Sequence, residues 1–360
     1  MRENTGHRAM AGAIARMPDP TGYREVAALE TDLAAAFGAR RAVAVSSGTA
    51  AITTALAACG VGADDEVLVP AVTVVMTVVA AGARPVFVET TADGRSMDLA
   101  DLAAKTGPDT KAVVAVHLAG RTDGIHDLVA YTRTAGLRLI EDACQAQGTT
   151  TGGRHAGTIG DIGCFSLKDG KIISCGEGGY LLTDDDALAD RAAAHRTHWQ
   201  TSAPGTPAGS RLGVNHRLAE PLAALARHHL AHFPEALALR RRQAAALHHA
   251  VDDTPGVVPL AAAGGETPNG YSALWRLTLP GPREFSARLA RLGVPNSTGT
   301  HHLTAAHLHP ACSGYATGDL PRAQATVDTL LAVPFTAHDS ERDIEQRALT
   351  IRQEAASWSS

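Results

Sequence analysis

The sequence predicts an α/β protein: a mainly parallel sheet in a large first domain, followed by a small C-terminal αβ domain. Three observations predict it. Short β-branched runs alternate with stretches of helical periodicity through the first two thirds of the chain. Three segments at predicted strand ends carry small, acidic or lysine residues, and open α/β sheets gather ligands at strand ends. After Tyr180–Thr183 the texture changes to a long Ala/Leu/Arg/His-rich stretch and then a shorter αβ pattern.

Taken in order, Glu25 to Phe37 has helical spacing of its apolar residues. Arg41 to Val45 reads as a strand that ends at Ser46-Ser47-Gly48, and Thr49 to Ala58 as the helix after it. Glu66 to Val69 is a strand stopped by Pro70, Val72 to Ala81 an apolar helix, and Pro85 to Glu89 the next strand. Lys111 to His117, Leu137 to Glu141 and Gly163 to Leu167 are further strands, with helices at Asp98 to Lys105 and Asp123 to Thr134. Asp186 to Arg196 is a helix, and Thr201 to Ser210 a Pro/Gly/Ser-rich loop. Glu220 to His249 is mainly helical, with Pro234 as a kink or break. A strand at Ser272 to Leu279 and helices at Arg283 to Leu292 and Pro321 to Val333 complete the pattern.

A chain of 360 residues exceeds one ordinary core and suits two domains. The expected division is an N-terminal segment 1–24, a large domain 25–235 and a small domain 236–360. A hydrophobic content of 45% with 19% charged residues excludes a disordered chain. The net charge of -5 and the lack of a basic, aromatic patch give no support to nucleic acid as a partner. Five scattered cysteines fit reduced thiols better than a disulfide framework. Val67 to Ala83 is broken by Pro70, Thr73 and Thr77, so it reads as a strand and a helix, not a membrane span. Residues 1–17 have no signal-type apolar core, and a cytoplasmic protein is expected.

Only four of the 32 basic residues are lysines, and two of them, Lys168 and Lys171, share one glycine-rich stretch. Lysine can act as a nucleophilic amine, whereas arginine cannot lose its proton in a protein. Lys171 alone could equally be a solvated surface residue. Ser46-Ser47-Gly48-Thr49 could bind phosphate through free helix-start N–H groups, or could simply cap the helix. Glu141-Asp142 at a strand end could hold a protonated ring nitrogen, cap a helix or bind a metal. Together, an anion cradle, a strand-end acid and a nucleophilic lysine fit the needs of pyridoxal phosphate (PLP). The 17 histidines, three pairs among them, are read as surface residues, with no metal site expected. No Walker-type or Gly-x-Gly-x-x-Gly run suggests a nucleotide-hydrolysing or dinucleotide site.

With those residues in view, the chain resembles the DegT/DnrJ/EryC1/StrS aminotransferases, from about residue 25 to 345. The motifs are Ala44-Val45-Ser46-Ser47-Gly48-Thr49-Ala50-Ala51, Glu66 to Ala71, Pro85 to Val88, Ile140 to Gln145, and Phe165-Ser166 through Lys171 to Gly179. The resemblance implies aminotransferase fold type I and PLP as cofactor. By it, Lys171 would form the Schiff base and carry the proton, and Asp142 would hold the pyridinium. Gln145 would lie by the 3′-oxygen, and Gly48 and Thr49, helped by Ser166, would bind the phosphate. Gly213-Val214-Asn215-His216-Arg217 resembles a motif that reaches a neighbouring subunit's cofactor, which implies Asn215 and a homodimer. His307, in Ala306-His307-Leu308-His309-Pro310, and Lys168 would be substrate contacts.

The chain departs from the family pattern at several points. Val74 stands where the family often has an aromatic residue, so it would cover the cofactor ring without stacking. Lys168 replaces a usual His or Gln, the usual Gln near Pro221-Leu222 is absent, and the segment before Glu25 matches poorly. The implied activity is transfer of an amino group from glutamate or glutamine to a keto-sugar or keto-cyclitol, in amino-sugar, aminocyclitol or antibiotic biosynthesis. The alternatives are another PLP chemistry, or a cofactor-losing relative that binds or regulates a partner protein.

Overall fold

The structure is a computed structural model, and it describes residues 3–16, 24–72, 76–315 and 318–358. Two helices, α1 (Glu3–Arg16) and α2 (Arg24–Phe37), precede the first strand, β1 (Arg41–Val45). Then follow α3 (Gly48–Ala58), β2 (Glu66–Pro70), α4 (Met76–Ala80), β3 (Arg84–Val88), α5 (Leu99–Lys105), β4 (Thr110–Val116), α6 (Ile125–Ala135) and β5 (Arg138–Asp142). Two-residue strands β6 (Thr150–Thr151) and β7 (Arg154–His155) lead to β8 (Ile162–Ser166), β9 (Gly179–Thr183) and α7 (Asp186–Arg196).

The large sheet has seven strands in the order β1-β9-β8-β5-β4-β2-β3. The run from β8 through β5, β4 and β2 to β3 is parallel. Only β9 runs against its neighbours β8 and β1. The carboxyl ends of β1, β4, β5 and β8 therefore meet at one edge. An antiparallel neighbour can be joined by a direct turn instead of a helical crossover. The connection from β8 to β9 is such a turn, and it carries Lys171.

Strand side chains alternate between faces, and the cores record it. Ile140, Cys164 and Leu181 pack with Ile52 and Leu56 of α3 and Leu188 of α7. Phe165, Tyr180 and Leu182 pack on the other face with Leu29, Leu33 and Phe37 of α2 and with Phe233. Phe165 and Tyr180 are stacked at 4.5 Å between ring centroids, inside the range in which aromatic pairs attract. The same alternation sends Asp142 to the α3 side and Glu141 to the opposite side.

Beyond the large sheet come α8 (Glu220–Leu230), α9 (Phe233–Val251), β10 (Val257–Pro259), β11 (Glu266–Thr267), β12 (Ser272–Leu277), α10 (Pro282–Arg291), α11 (Pro321–Thr329), β13 (Leu330–Pro334) and α12 (Glu341–Trp358). The expected long helix breaks before Pro234, which sits in the first turn of α9, where its missing N–H is harmless. α9 starts with Phe233 in the large-sheet core and ends with Leu247 and Val251 in the core of a three-stranded sheet, β10-β12-β13.

The helix expected over Pro321 to Val333 stops at Thr329. Leu330 to Pro334 form a strand antiparallel to β12 instead, with Leu331 and Val333 inside the core. A short apolar run carries no periodicity of its own, so its state is set by the sheet edge it meets. α1 and α12 were not legible as helices. α1 packs on α8, and α12 packs on α9 and α10, placing Ile344, Ala348 and Ile351 in the core that also holds Leu331 and Val333.

Glycine is required where backbones touch. A Cβ at Gly179 would stand 2.4 Å from the Ser47 carbonyl oxygen and 2.7 Å from that of Phe165. Gly179→Ala is therefore expected to cost about 1–3 kcal/mol of stability, the scale of overpacking. Urea unfolding measures the loss.

Candidate active site

A cavity of about 330 Å³ opens at the carboxyl ends of β1, β4, β5 and β8. Its walls include Gly48, Thr49, His117, Asp142, Gln145, Ser166, Lys168 and Lys171. Seven of these eight are residues that the sequence singled out; His117 is not. Val74 lies outside the described residues, so its place over a ring is not described.

The β1–α3 junction forms one wall. Ser47 is extended and caps α3 by accepting the N–H of Ala50 at 3.0 Å. Among the described residues, the N–H groups of Gly48 and Thr49 have no protein acceptor. Free donors at a helix start bind anions. A Cβ on Gly48 would meet Cys144 Sγ at 2.8 Å and Ser166 Cβ at 2.9 Å. Only glycine lets this turn lie against β8.

The end of β5 forms the second wall, and its two acids have separate fates. Asp142 lines the cavity and accepts the N–H of Cys144 at 3.1 Å. Glu141 is fully buried on the other face. Its carboxylate accepts the N–H groups of Gly157, Ile159 and Gly160 at 2.8, 2.7 and 2.6 Å, and lies 2.8 Å from His117 Nε2. Burial pushes this carboxyl up, but the His117 contact and the backbone donors outweigh it and hold it below the usual range. Glu141 thereby fixes the His117 ring at the cavity wall. The Val-His step at the end of β4 was visible in the sequence, but nothing there linked His117 to Glu141.

The β8–β9 turn brings Lys171. Its backbone is closed by Lys171 N–H to the Lys168 carbonyl at 3.1 Å and by Asp169 N–H to that of Gly176 at 3.1 Å. Gly170 and Gly176 have φ of 88° and 93°, which side chains disfavour. Gln147 staples the turn from beneath. Its amide donates to the Ser166 carbonyl at 3.1 Å and accepts the Ile173 N–H at 3.0 Å. Lys168 is exposed at the mouth, and Lys171 is half-buried. Gln145 lines the cavity, but its Oε1 is engaged by the Ala119 N–H at 2.7 Å.

Two predicted residues lie elsewhere in this chain. Asn215 is exposed on the loop between α7 and α8 and does not line the cavity. That loop is pinned by the Ser46 N–H to the His216 carbonyl at 2.8 Å. Thr54 Oγ1 also sits 3.2 Å from His216 Nδ1 and 3.4 Å from His195 Nδ1. His307 is buried in a single helical turn whose Ala306 N–H meets the Ala71 carbonyl at 2.6 Å, and it too is absent from the walls.

His195 is held neutral. Burial, with His216 adding to it, lowers its pKa from 6.5 to about 4. The unfolded state then binds the extra proton, so this contribution is complete above about 6.5 and is lost as pH falls from 6.5 toward 4. Thermal unfolding followed from pH 8 to 4 should show that slope, and His195→Gln should flatten it.

The cysteines beside the site are thiols. Burial pushes Cys144 and Cys164 well above their ordinary value, which suits packing and not nucleophilic chemistry.

Fold and cavity together fit a PLP-type α/β enzyme: one cavity gathers free helix-start donors of the kind that bind phosphate, a strand-end carboxylate and an amine from the β8–β9 turn. Known proteins agree. The family model of the DegT/DnrJ/EryC1/StrS aminotransferase family matches residues 8–351. The L-glutamine:2-deoxy-scyllo-inosose aminotransferase of Streptoalloteichus tenebrarius is 36% identical over 297 residues, 79% of this chain and 68% of that one. The dTDP-3-amino-3,4,6-trideoxy-alpha-D-glucose transaminase of Streptomyces venezuelae is 33% identical over 346 residues, 91% and 86% of the two chains. The X-ray structure of an aminotransferase from Psychrobacter cryohalolentis superposes with a TM-score of 0.88 at 27% identity, over 98% of this chain and 97% of that one. The chain belongs to the DegT/DnrJ/EryC1/StrS aminotransferase family, and is a PLP-dependent aminotransferase.

Proposed function

We propose that this aminotransferase moves an amino group from glutamate or glutamine to the ketone of a sugar or cyclitol, in amino-sugar, aminocyclitol or antibiotic biosynthesis. The carrying observation is the convergence of Gly48, Thr49, Asp142 and Lys171 on one cavity. The named activities of the similar transaminases support the substrate class.

In this reading the N–H groups of Gly48 and Thr49, with Ser166, bind the cofactor phosphate. Asp142 keeps a proton on the ring nitrogen. His117, fixed by Glu141, closes the wall. Lys171 Nζ would hold the cofactor through its aldehyde carbon, the oxygen leaving as water, and, when free, would carry the proton to and from the substrate carbon. When bound, PLP supplies an electron sink for the pair left on that carbon. Lys168 at the mouth meets an acidic group of the substrate, with His307 as a further substrate contact.

The site is completed in a cytoplasmic homodimer, where Asn215 of each chain serves the partner's phosphate. The five free cysteines suit that reducing compartment.

Borohydride treatment of the PLP-loaded protein, followed by peptide mass spectrometry, should place the cofactor on Lys171 and not on Lys168. A folded, PLP-binding protein with no adduct on Lys171 overturns the site. Keto-cyclitols and nucleotide keto-sugars, each offered with glutamate or glutamine, then identify the substrate and donor; conversion of none of them overturns the substrate class. Sedimentation of the holoenzyme tests the dimer.

A further inference from the structure

The connection between β11 and β12 passes beside Lys171. The phenol oxygen of Tyr271 lies 3.5 Å from Lys171 Nζ, and Nζ sits 5.0 Å from the centre of the Tyr271 ring. A lysine amine so placed gains both an acceptor and an aromatic face. Among the described residues, the phenol hydroxyl has no other hydrogen-bond partner.

The segment that carries Tyr271 is fixed on both sides. The Asn269 side chain is buried. Its amide donates to the carbonyls of Gln145 and Gln147 at 2.9 and 3.0 Å, and its oxygen accepts the Tyr271 N–H at 2.9 Å. Gly270 has φ of 72°, and a Cβ there would stand 2.5 Å from the Arg240 carbonyl oxygen. Arg240 in turn donates to the Gly170 carbonyl at 3.1 Å, one residue before Lys171. Tyr271 and Lys171 are thus tied by one network that spans the loop after β5, α9 and the β8–β9 turn.

We infer that Tyr271 is the positioning residue for the free Lys171 amine, holding it at the cavity wall whenever it is not bonded to the cofactor. The inference rests on the reading of Lys171 as the carbonyl-reacting amine. Such an amine must be released and recaptured in every cycle, and a long flexible side chain left unheld would lose reach. Tyr271 does not line the cavity, so it reaches the amine without occupying substrate space.

The test uses wild-type protein, Tyr271→Phe and Tyr271→Leu. Cofactor-free protein is reductively methylated with limiting formaldehyde, and modification of Lys171 is measured against exposed Lys111 in the same sample. Removing the phenol and the ring uncovers the amine, so the Lys171 to Lys111 ratio should rise about two- to tenfold in Tyr271→Leu, the scale of one lost hydrogen bond. Tyr271→Phe should give a smaller rise. In the holoenzyme, kcat should fall about tenfold in both variants, with KM for the keto acceptor unchanged, as expected when only placement is lost. A ratio equal in all three proteins overturns the inference, as does a KM effect without a kcat effect. Should Tyr271→Leu fail to fold, Tyr271→Phe decides alone. The labelling needs neither cofactor nor substrate, so it stands apart from the borohydride test: failure there removes the enzyme reading of Lys171, and failure here removes Tyr271 alone.

Discussion

Lys171→Ala should abolish transamination, with kcat down on the order of 10³-fold or more, the scale of a lost acid–base group that is also the covalent anchor. Single-turnover conversion of the amino donor, followed by cofactor absorbance, measures it. The variant should still bind PLP, because Gly48, Thr49 and Asp142 are untouched. It should no longer yield a borohydride-stable adduct. Lys168→Ala is the contrast. Lys168 is exposed at the mouth, three residues from Lys171, so its loss should raise KM for an acidic substrate and leave the adduct intact. A Lys171→Ala protein that turned over at the wild-type rate would falsify the assignment.

The largest stability effect is expected at Glu141. Glu141→Leu removes, from a fully buried position, an acceptor of three backbone N–H groups and the partner of His117. Breaking one side of a buried polar network of this kind costs about 3–5 kcal/mol. Denaturant titration reads the loss as a lower midpoint. The pH dependence has a definite sign. The folded carboxyl lies below its ordinary value, so its stabilisation is present above about 4.5, the unfolded value, and is lost as pH falls through the folded one. Glu141→Leu should therefore weaken the protein most near neutrality and least in acid. Because His117 would lose its anchor, PLP affinity should fall as well.

Much of the fold was legible because strands β1 to β5 and their helices repeat a simple apolar alternation. The illegible parts depended on distant partners. Leu330 to Pro334 became a strand because β12 offered an edge at Arg276 through Ser272. The two-residue strands β6, β7 and β11 have no periodicity to read. At the site, Lys171 stood out by composition and Asp142 by its place at a strand end. His117, Gln147 and Tyr271 carried no local signal. Their meaning lies in contacts that span 24, 26 and 100 residues of sequence. Asn215 is different again, since its proposed role belongs to a second copy of the chain.

The Gln147 staple has a thermodynamic consequence. One amide closes both flanks of the Lys171 turn, from Ser166 to Ile173, before any ligand arrives. The conformational entropy of presenting the amine is thus given up during folding, not at the moment of cofactor capture. Loading should then behave as entry into a preformed socket, with a rate that rises linearly with PLP concentration instead of levelling off at the speed of a loop.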